Sequence, residues 1–304
     1  MKKLLGFGPL FIIIAALLWS FDGLLRINLY SLSPSVIVFY EHLLGAFFLL
    51  LFLPRWLPDL SGMKRKEWFA IGVVSLFSGA LGTIFYTAAL GKVQFTQYSV
   101  VVLLQQQLQP IWAIGAASII LKEKITKKFL LWTGIALIAA YFISFRDLQV
   151  NLNTGTETIT AALFALTAGL MWGTSTAISK YVLKKVSFLT GTTLRFFLAP
   201  LFAFLIILAQ NQVASLTQIS FYQWQTLFLI TLSTGLVALG FYYYGLKKTP
   251  ARITTLLELV WPASAILIDY FLFKKALSAT QILGVILLLL AIYQITRRQK
   301  YSGL

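Results

Sequence analysis

The sequence predicts an all-α integral membrane protein with ten transmembrane helices, arranged as two inverted five-helix repeats. Three observations predict this class: a composition rich in apolar residues, apolar segments long enough to cross a bilayer, and a second half that repeats the first. Of the 304 residues, 59% are hydrophobic and only 11% are charged. Because soluble domains carry about 25% charged residues, most of this chain is expected to lie in lipid.

A helix needs about 20 apolar residues to cross the hydrocarbon core. We predict ten such spans: 6–28, 34–53, 68–90, 96–121, 129–145, 159–182, 187–209, 224–246, 250–273 and 279–296. The alternating segments of a membrane β-barrel do not occur in the sequence, which leaves helices as the structure that satisfies the backbone in lipid. The first span follows Lys2 and Lys3 without a small-residue cleavage site, so we expect it to be retained rather than removed as a signal peptide.

The chain has a formal charge of +16, and its lysines and arginines concentrate on one side of the membrane in the predicted topology. If the N-terminus is inside, nineteen of the 25 Lys and Arg residues fall in cytoplasmic segments and five fall in outer segments. This bias predicts that both termini are cytoplasmic and that the chain lies in the cell (inner) membrane. We therefore expect the lipid bilayer, and not nucleic acid, to be the partner of the basic residues.

The two halves of the sequence repeat each other. The segment "LLWSFDGLLRINLYSLSPSVIVFYEHLLG" from Leu17 aligns without a gap with "LMWGTSTAISKYVLKKVSFLTGTTLRFFLA" from Leu170, and "LLQQQLQPIWA" matches "TLLELVWPASA". Each half holds five predicted spans, so the second enters the membrane with the opposite orientation, as in many transporters. We predict repeats at 1–145 and 159–304, joined by an external linker at 146–158; the second repeat ends in a short basic cytoplasmic tail.

The repeated tryptophan, the "LSP" turn before the second span, the "LRF" at 194–196, the Glu258–Pro262 pair and the short basic turns resemble an EamA-type member of the drug/metabolite transporter superfamily. The resemblance covers essentially the whole chain. It implies a ten-helix transporter whose central cavity is lined by spans 1–4 and 6–9, with spans 5 and 10 at the periphery. It also implies export as the commoner direction of transport.

Four glutamines crowd the sequence "LLQQQLQP" at 103–110, inside a predicted span. At 100° per residue, one face of this helix presents two of the glutamines together with a tyrosine and a tryptophan. These residues are Tyr98, Gln105, Gln109 and Trp112, with Gln106 at the edge of the stripe. Interhelical hydrogen bonding explains one or two buried amides, whereas a stripe of this kind favours a wet cavity between the halves.

A proline follows each of two matched polar positions: Pro110 follows Gln106, and Pro262 follows Glu258. Proline has no amide hydrogen, so the carbonyl four residues earlier loses its helical partner. We therefore predict a helix break at each proline, with an unpaired carbonyl beside a polar side chain.

Ionisable residues inside predicted spans are candidates for a functional site, because charge is costly in lipid. They are Asp22, Glu41 and His42 in the first half and Arg195 and Glu258 in the second. Glu41 and His42 are adjacent and point about 100° apart, so we expect only one of them to face the centre of the cavity.

Asp22 lies four residues before Arg26, a spacing that allows a salt bridge along the helix. The pair is either a structural pair near the outer interface or part of the cavity. Glu258 has no basic residue one turn away on its own helix. If protons couple transport, we therefore name Glu258 first and Glu41 second as their carriers.

Several aromatic residues lie deep within the predicted spans. We assign Trp19, Trp172, Tyr243 and Trp261 to the cavity, together with Ser175, which aligns with Asp22. Helix packing explains each aromatic residue equally well, but as a group they suit an aromatic ring or a quaternary ammonium ion.

These features predict an alternating-access secondary transporter, an exporter of a small organic metabolite that is most like an amino acid. The alternative within the same fold is uptake of an organic cation such as choline. We expect no cofactor and no metal, since the sequence has neither metal-ligand spacing nor a phosphate-binding glycine loop. The sequence does not indicate an oligomeric state.

Two further classes are weaker. "GTSTA" from Gly173 approximates a serine-nucleophile turn, and His42 is the one histidine of the chain, so an intramembrane enzyme would need contact between Ser175 and His42. A structural or receptor role does not explain why amides and carboxylates are placed inside the predicted spans.

Overall fold

The protein is helical throughout the part of the chain that the structure, a computed structural model, describes. That part comprises residues 7–93, 98–149, 155–274 and 276–297, without the side chains of 98–107, 146, 155, 156, 158, 269, 272 and 273. We number the main helices α1 (Gly8–Trp19), α2 (Pro34–Leu50), α3 (Arg65–Lys92), α4 (Tyr98–Ile120), α5 (Lys127–Ser144), α6 (Gly155–Leu183), α7 (Phe188–Ala209), α8 (Phe221–Lys248), α9 (Ala251–Leu257 and Val260–Phe273) and α10 (Ala279–Thr296).

Within the described residues, eight helices are long and apolar enough to cross a membrane. The count rises to nine if α2 and the bent segment Leu53–Gly62, which turns by 86°, are taken as one span. The described apolar part of α4, Leu108–Ile120, is shorter than a full span. The multi-pass membrane class is thus confirmed, while the number ten and the inverted topology remain predictions.

Helices α2 and α7 begin in the same way. Ser33 precedes α2 and accepts a hydrogen bond from the backbone N–H of Val36, and Ser187 precedes α7 and accepts one from Thr190. A serine at this position satisfies one of the N–H groups that a helix leaves unpaired at its start. These caps fix the start of the two helices that carry Glu41, His42 and Arg195 toward the centre.

Helices α3 and α8 are both widened in their middle by a π-helical segment, Ser75–Leu81 in α3 and Thr231–Gly235 in α8. Short π segments within α-helices occur frequently at functional sites, because the wider turn changes which backbone carbonyls are paired. Both segments lie where the two halves of the chain meet.

The halves pack closely at several helix pairs, with α4 against α6, α1 against α8 and α2 against α7. Helices α5 and α10, one from each half, also pack on each other, and they do so outside the helices that surround the cavity. Gly173 permits the approach of α6 to α4, since a Cβ at this position would lie 2.6 Å from the backbone oxygen of Gln109. This packing leaves a cavity between α1–α4 and α6–α9.

The predicted helix breaks need correction. Helix α4 continues through Pro110 without interruption. Helix α9 is interrupted between Leu257 and Val260, as predicted, but the carbonyl of Glu258 accepts a hydrogen bond from the backbone N–H of Trp261 at 2.9 Å. A tighter turn therefore supplies the partner that Pro262 cannot. Helix α6 begins at Gly155, inside the segment that we predicted as linker.

Candidate functional site

A cavity of about 90 Å³ lies between the two halves. Its lining comes from α1–α4 and α6–α9 and from the short helix Asp22–Arg26 that follows α1. The lining residues are Trp19, Asp22, Arg26, Glu41, His42, Ser78, Thr83, Tyr86, Gln109, Trp172, Ser175, Thr176, Ser179, Arg195, Phe196, Thr234, Gly235, Leu239, Tyr242, Glu258 and Trp261. No described residue of α5 or α10 lines it.

Three charged side chains of the first half form a buried cluster at one wall of the cavity. Arg26 lies between two carboxylates, with Nε 2.5 Å from Asp22 and a terminal nitrogen 2.8 Å from Glu41. Thr234 of α8 donates a hydrogen bond to Asp22 at 2.6 Å. Buried charges require partners of this kind, and the predicted salt bridge between Asp22 and Arg26 is confirmed, turned inward rather than toward solvent.

Glu258 forms the second polar cluster, at the interruption in α9. Its carboxylate accepts a hydrogen bond from the Gln109 amide at 2.5 Å and one from the Tyr242 hydroxyl at 2.8 Å. The Tyr242 oxygen in turn lies 3.1 Å from the hydroxyl of Thr176. Since Gln109 belongs to the first half and Glu258 to the second, this contact connects the halves across the cavity.

The carbonyl of Ser78, in the π segment of α3, accepts three side-chain hydrogen bonds. They come from Trp172 Nε1 at 3.1 Å, from a terminal nitrogen of Arg195 at 3.0 Å and from the Thr83 hydroxyl at 3.1 Å. In the described part of the chain, Arg195 has no carboxylate within ion-pair distance, and its Nε has no hydrogen-bond partner. The Ser175 hydroxyl is likewise buried and unpaired there.

Five aromatic rings surround the cavity and pack against one another. Their closest centroids are separated by 5.1 Å for Trp19 and Tyr242 and by 5.3 Å for Tyr86 and Trp172. Trp261 lies 6.0 Å from Trp19, 5.7 Å from Tyr86 and 6.1 Å from Trp172. We call these five residues, Trp19, Tyr86, Trp172, Tyr242 and Trp261, the aromatic cluster. Such spacings are typical of favourable ring–ring packing.

The structure brings most of the predicted site residues to this cavity, with three corrections. Trp112 does not line it and is 43% exposed, although its Cβ lies at the contact of α4 with α6. Tyr243 is buried away from the cavity and bonds to Ser179, whereas its neighbour Tyr242 lines the cavity. Both Glu41 and His42 line it, not only one.

Three predicted residues, Tyr98, Gln105 and Gln106, have side chains that lie outside the described part of the chain. The stripe of α4 is therefore represented in the described cavity by Gln109 alone.

The cavity residues that sequence reasoning missed lie mostly in α3 and α8. A further gapless repeat identifies them: "SLFSGALGTIFYTAALGK" from Ser75 aligns with "TLSTGLVALGFYYYGLKK" from Thr231. This alignment pairs Ser78 with Thr234 and Tyr86 with Tyr242, all of which line the cavity. A search for repeats in these two spans would have found the four residues without a structure.

A sequence comparison now decides the family. The model of the EamA-like transporter family matches this chain twice, over residues 6–145 and over residues 159–297. The chain belongs to the EamA-like transporter family. The resemblance inferred from the sequence is therefore confirmed, and each match covers one of the two predicted repeats.

Named relatives of this EamA-like protein are also transporters. The riboflavin transporter ImpX of Fusobacterium nucleatum is 32% identical over 292 residues, which cover 95% of this chain and 97% of that protein. The uncharacterized transporter sll1164 of Synechocystis is 25% identical over 253 residues, which cover 80% of this chain and 69% of that protein. A crystal structure shares the fold with a TM-score of 0.72 at 16% identity, over 95% of this chain and 98% of the other.

Membership in the EamA-like family makes the chain a small-molecule transporter rather than an enzyme. The ring nitrogen Nδ1 of His42 lies 2.9 Å from the carbonyl of Val38, and no hydrogen bond joins His42 to Ser175 in the described residues. The glycine of "GTSTA" serves helix packing instead.

Proposed function

We propose that this EamA-like protein transports a flat heteroaromatic compound of the riboflavin class by alternating access. The aromatic cluster carries the proposal. Five rings around a cavity at the junction of the two halves suit a planar ring system, and the rim offers hydrogen-bonding groups to its polar edge. The name of the relative ImpX, a riboflavin transporter, supports the same substrate class.

The size of the cavity supports alternating access. At about 90 Å³ it has room for several water molecules, whereas sites for drug-sized ligands occupy roughly 300–1,000 Å³. A three-ring substrate therefore requires the halves to move apart before it enters. The contacts that connect the halves, such as Gln109 to Glu258, would open in that step.

The sequence predicted two other substrate classes, an amino acid and an organic cation such as choline, which we compare with riboflavin. A choline-type cation needs negative charge beside the rings. Arg26 pairs with both Asp22 and Glu41, which leaves Glu258 as the one carboxylate of the described cavity for such a cation, and the positive charge of Arg195 opposes it. An amino acid uses only a small part of the aromatic surface. We therefore rank riboflavin above an amino acid and an amino acid above choline.

Transport in proteoliposomes tests the substrate. Purified protein should move labelled riboflavin, and unlabelled riboflavin should compete while choline and a mixture of amino acids should not. Empty liposomes are the control. Loading the label inside or outside measures direction, for which the family implies export. Transport of amino acids without transport of riboflavin would contradict the proposal.

We further propose that transport is proton-coupled and that Glu258 carries the proton, with Glu41 as second choice. In the described residues, Glu258 is the one cavity carboxylate without a cationic partner, since Asp22 and Glu41 both pair with Arg26. Its two partners are a neutral amide and a neutral hydroxyl. A buried carboxylate of this kind exchanges a proton at lower electrostatic cost than one held by arginine.

A pH gradient across proteoliposomes tests the coupling. The unsubstituted protein should accumulate riboflavin against its gradient, whereas Glu258→Gln should exchange it without accumulation. Glu123→Gln is a matched control, because Glu123 pairs with Arg252 outside the cavity. An unsubstituted protein that ignores the pH gradient is a uniporter, and this result would refute the coupling while leaving the substrate proposal intact.

We propose that both termini are cytoplasmic, as the distribution of lysine and arginine predicts. Single cysteines test this in the natural cysteine-free background. Ser61→Cys, between α2 and α3, should react with a membrane-impermeant reagent only from the cytoplasmic side. Thr217→Cys, between α7 and α8, should react only from outside, and the reverse pattern would refute the topology.

A further inference from the structure

Two polar groups in the cavity have no hydrogen-bond partner among the described residues: the Ser175 hydroxyl and Nε of Arg195. A buried donor without a partner loses its hydrogen bond to water without replacement, so unsatisfied groups are rare and usually have an explanation. Ser175 is only 1% exposed. A bound substrate that accepts hydrogen bonds would supply both missing partners.

Arg195 differs from the other arginine of the cavity. Arg26 is enclosed by two carboxylates, whereas Arg195 makes one hydrogen bond to the Ser78 carbonyl and has no carboxylate within ion-pair distance in the described residues. A guanidinium group presents its N–H donors in one plane and has no acceptor. Arg195 therefore offers the cavity a flat, positively charged set of donors.

The surroundings of Arg195 indicate which part of a substrate it meets. Trp172 and Arg195 donate to the same carbonyl, that of Ser78, so the indole ring and the guanidinium group lie side by side. Ser175 follows Trp172 by three residues in α6 and so lies near it on the helix surface. A planar ring packed on the indole would direct its edge toward the two unpaired donors.

We propose, resting on the riboflavin-class function above, that Arg195 and Ser175 bind the carbonyl edge of the substrate's pyrimidinedione ring. In this arrangement Arg195 donates through Nε to a ring carbonyl and Ser175 donates through its hydroxyl. The ribityl chain of riboflavin lies elsewhere in the cavity. The site thus selects planar heterocycles that carry hydrogen-bond acceptors on one edge.

Flavin binding to the purified full-length protein tests this site, with quenching of flavin fluorescence by the neighbouring tryptophans as the readout. The two probes are riboflavin and lumiflavin, which keeps the pyrimidinedione ring and lacks the ribityl chain. Arg195→Gln should weaken both probes about 10- to 100-fold, and Ser175→Ala about three- to tenfold, as expected for charged and neutral hydrogen bonds. Arg195→Lys keeps the charge but lacks Nε, so it should also weaken both probes.

Thr193→Val is the matched control, because Thr193 in α7 has a buried hydroxyl without a partner among the described residues and does not line the cavity. It should bind both probes as the unsubstituted protein does. Unchanged affinity in all three cavity variants, or a loss confined to riboflavin, would overturn the site while leaving riboflavin transport standing. Binding of neither probe by the unsubstituted protein would instead overturn the proposed function, and the site with it.

Discussion

The two halves of the protein place different chemistry at matched positions around one cavity. Asp22 and Arg26 of the first half align with Ser175 and Ser179 of the second, and His42 aligns with Arg195. The first half satisfies its charges internally, through the cluster of Asp22, Arg26 and Glu41. The second half contributes two side chains to the cavity lining, Arg195 and Ser175, whose Nε and hydroxyl are buried without a hydrogen-bond partner in the described residues.

The two halves make equivalent hydrogen bonds around these side chains. Trp19 of the first half donates to the carbonyl of Thr234 at 3.0 Å, and Trp172 of the second half donates to the carbonyl of Ser78 at 3.1 Å. Each acceptor belongs to the π segment of the opposite half. The comparison teaches that matched residues hold the halves together, whereas unmatched residues are the candidates for substrate and proton binding.

The largest effect is expected from breaking the charged cluster of the first half. Arg26→Met leaves Asp22 and Glu41 buried without their cation, and removal of one partner from a buried ion pair costs about 3–5 kcal/mol. We expect a large drop in the melting temperature of the detergent-solubilised protein. Arg195→Met should have a much smaller effect, because Arg195 has no ion pair to lose in the described residues.

Neutralising the carboxylates gives the control for this prediction. The triple variant Arg26→Met, Asp22→Asn and Glu41→Gln should regain much of the lost stability, since no uncompensated charge remains. If Arg26→Met melts at the same temperature as the unsubstituted protein, the cluster does not stabilise the first half.

The matched tryptophans should respond alike. Trp19→Phe and Trp172→Phe each remove one N–H donor from a backbone carbonyl in a π segment, and each should cost about 1 kcal/mol, the net contribution of one hydrogen bond. Thermal unfolding of both variants measures the difference. Two similar losses would support a shared framework. A loss in one variant only would show that the halves have diverged in structure as well as in charge.

The halves also contact each other through two connections between helices. Asp59, between α2 and α3, accepts hydrogen bonds from the Ser187 backbone at 2.8 Å and the Thr190 hydroxyl at 2.5 Å. Gln210, after α7, accepts one from the Ser35 hydroxyl at 2.9 Å. The first contact is charged and the second is neutral.

This difference predicts different dependence on pH. Burial disfavours the charged form of Asp59, but the hydrogen bonds from Thr190 and Ser187 outweigh it and lower the pKa of this carboxyl. A lowered pKa contributes stability that is present above the ordinary value of about 3.9 and is lost as the pH falls through the folded-state value. Asp59→Asn should cost about 1 kcal/mol at neutral pH, and its difference from the unsubstituted protein should shrink below about pH 4.

Ser35→Ala tests the neutral counterpart and should give the smallest effect. It removes the neutral hydrogen bond to Gln210, worth about 1 kcal/mol or less, together with longer contacts to the Ser33 hydroxyl at 3.2 Å and Gln212 at 3.5 Å. Its difference from the unsubstituted protein should not vary between pH 3 and pH 7. Thermal unfolding over this range compares both variants. A pH-dependent loss in Ser35→Ala would mean that the two contacts are not distinguished by charge.

Composition and residue order were sufficient for the membrane class, the repeat and ten of the 21 residues that line the described cavity. Apolar segments predict membrane helices because the backbone has few alternatives in lipid. The tryptophans and ionisable residues within these segments predicted part of the cavity lining. Trp112 shows the limit of this reasoning. Helical periodicity groups it with Gln109, but in the structure Gln109 is buried in the cavity wall whereas Trp112 is 43% exposed and does not line the cavity.

The pairing of the polar groups emerged only from the folded chain. Arg26 joins Glu41 across two helices, Gln109 reaches Glu258 from the other half, and Tyr242 rather than Tyr243 faces the cavity. The first two contacts depend on how each helix is rotated about its axis, and the direction of Tyr242 depends also on the π segment that precedes it in α8. Periodicity assumes a regular helix, so it cannot specify contacts that a local change of helical geometry creates.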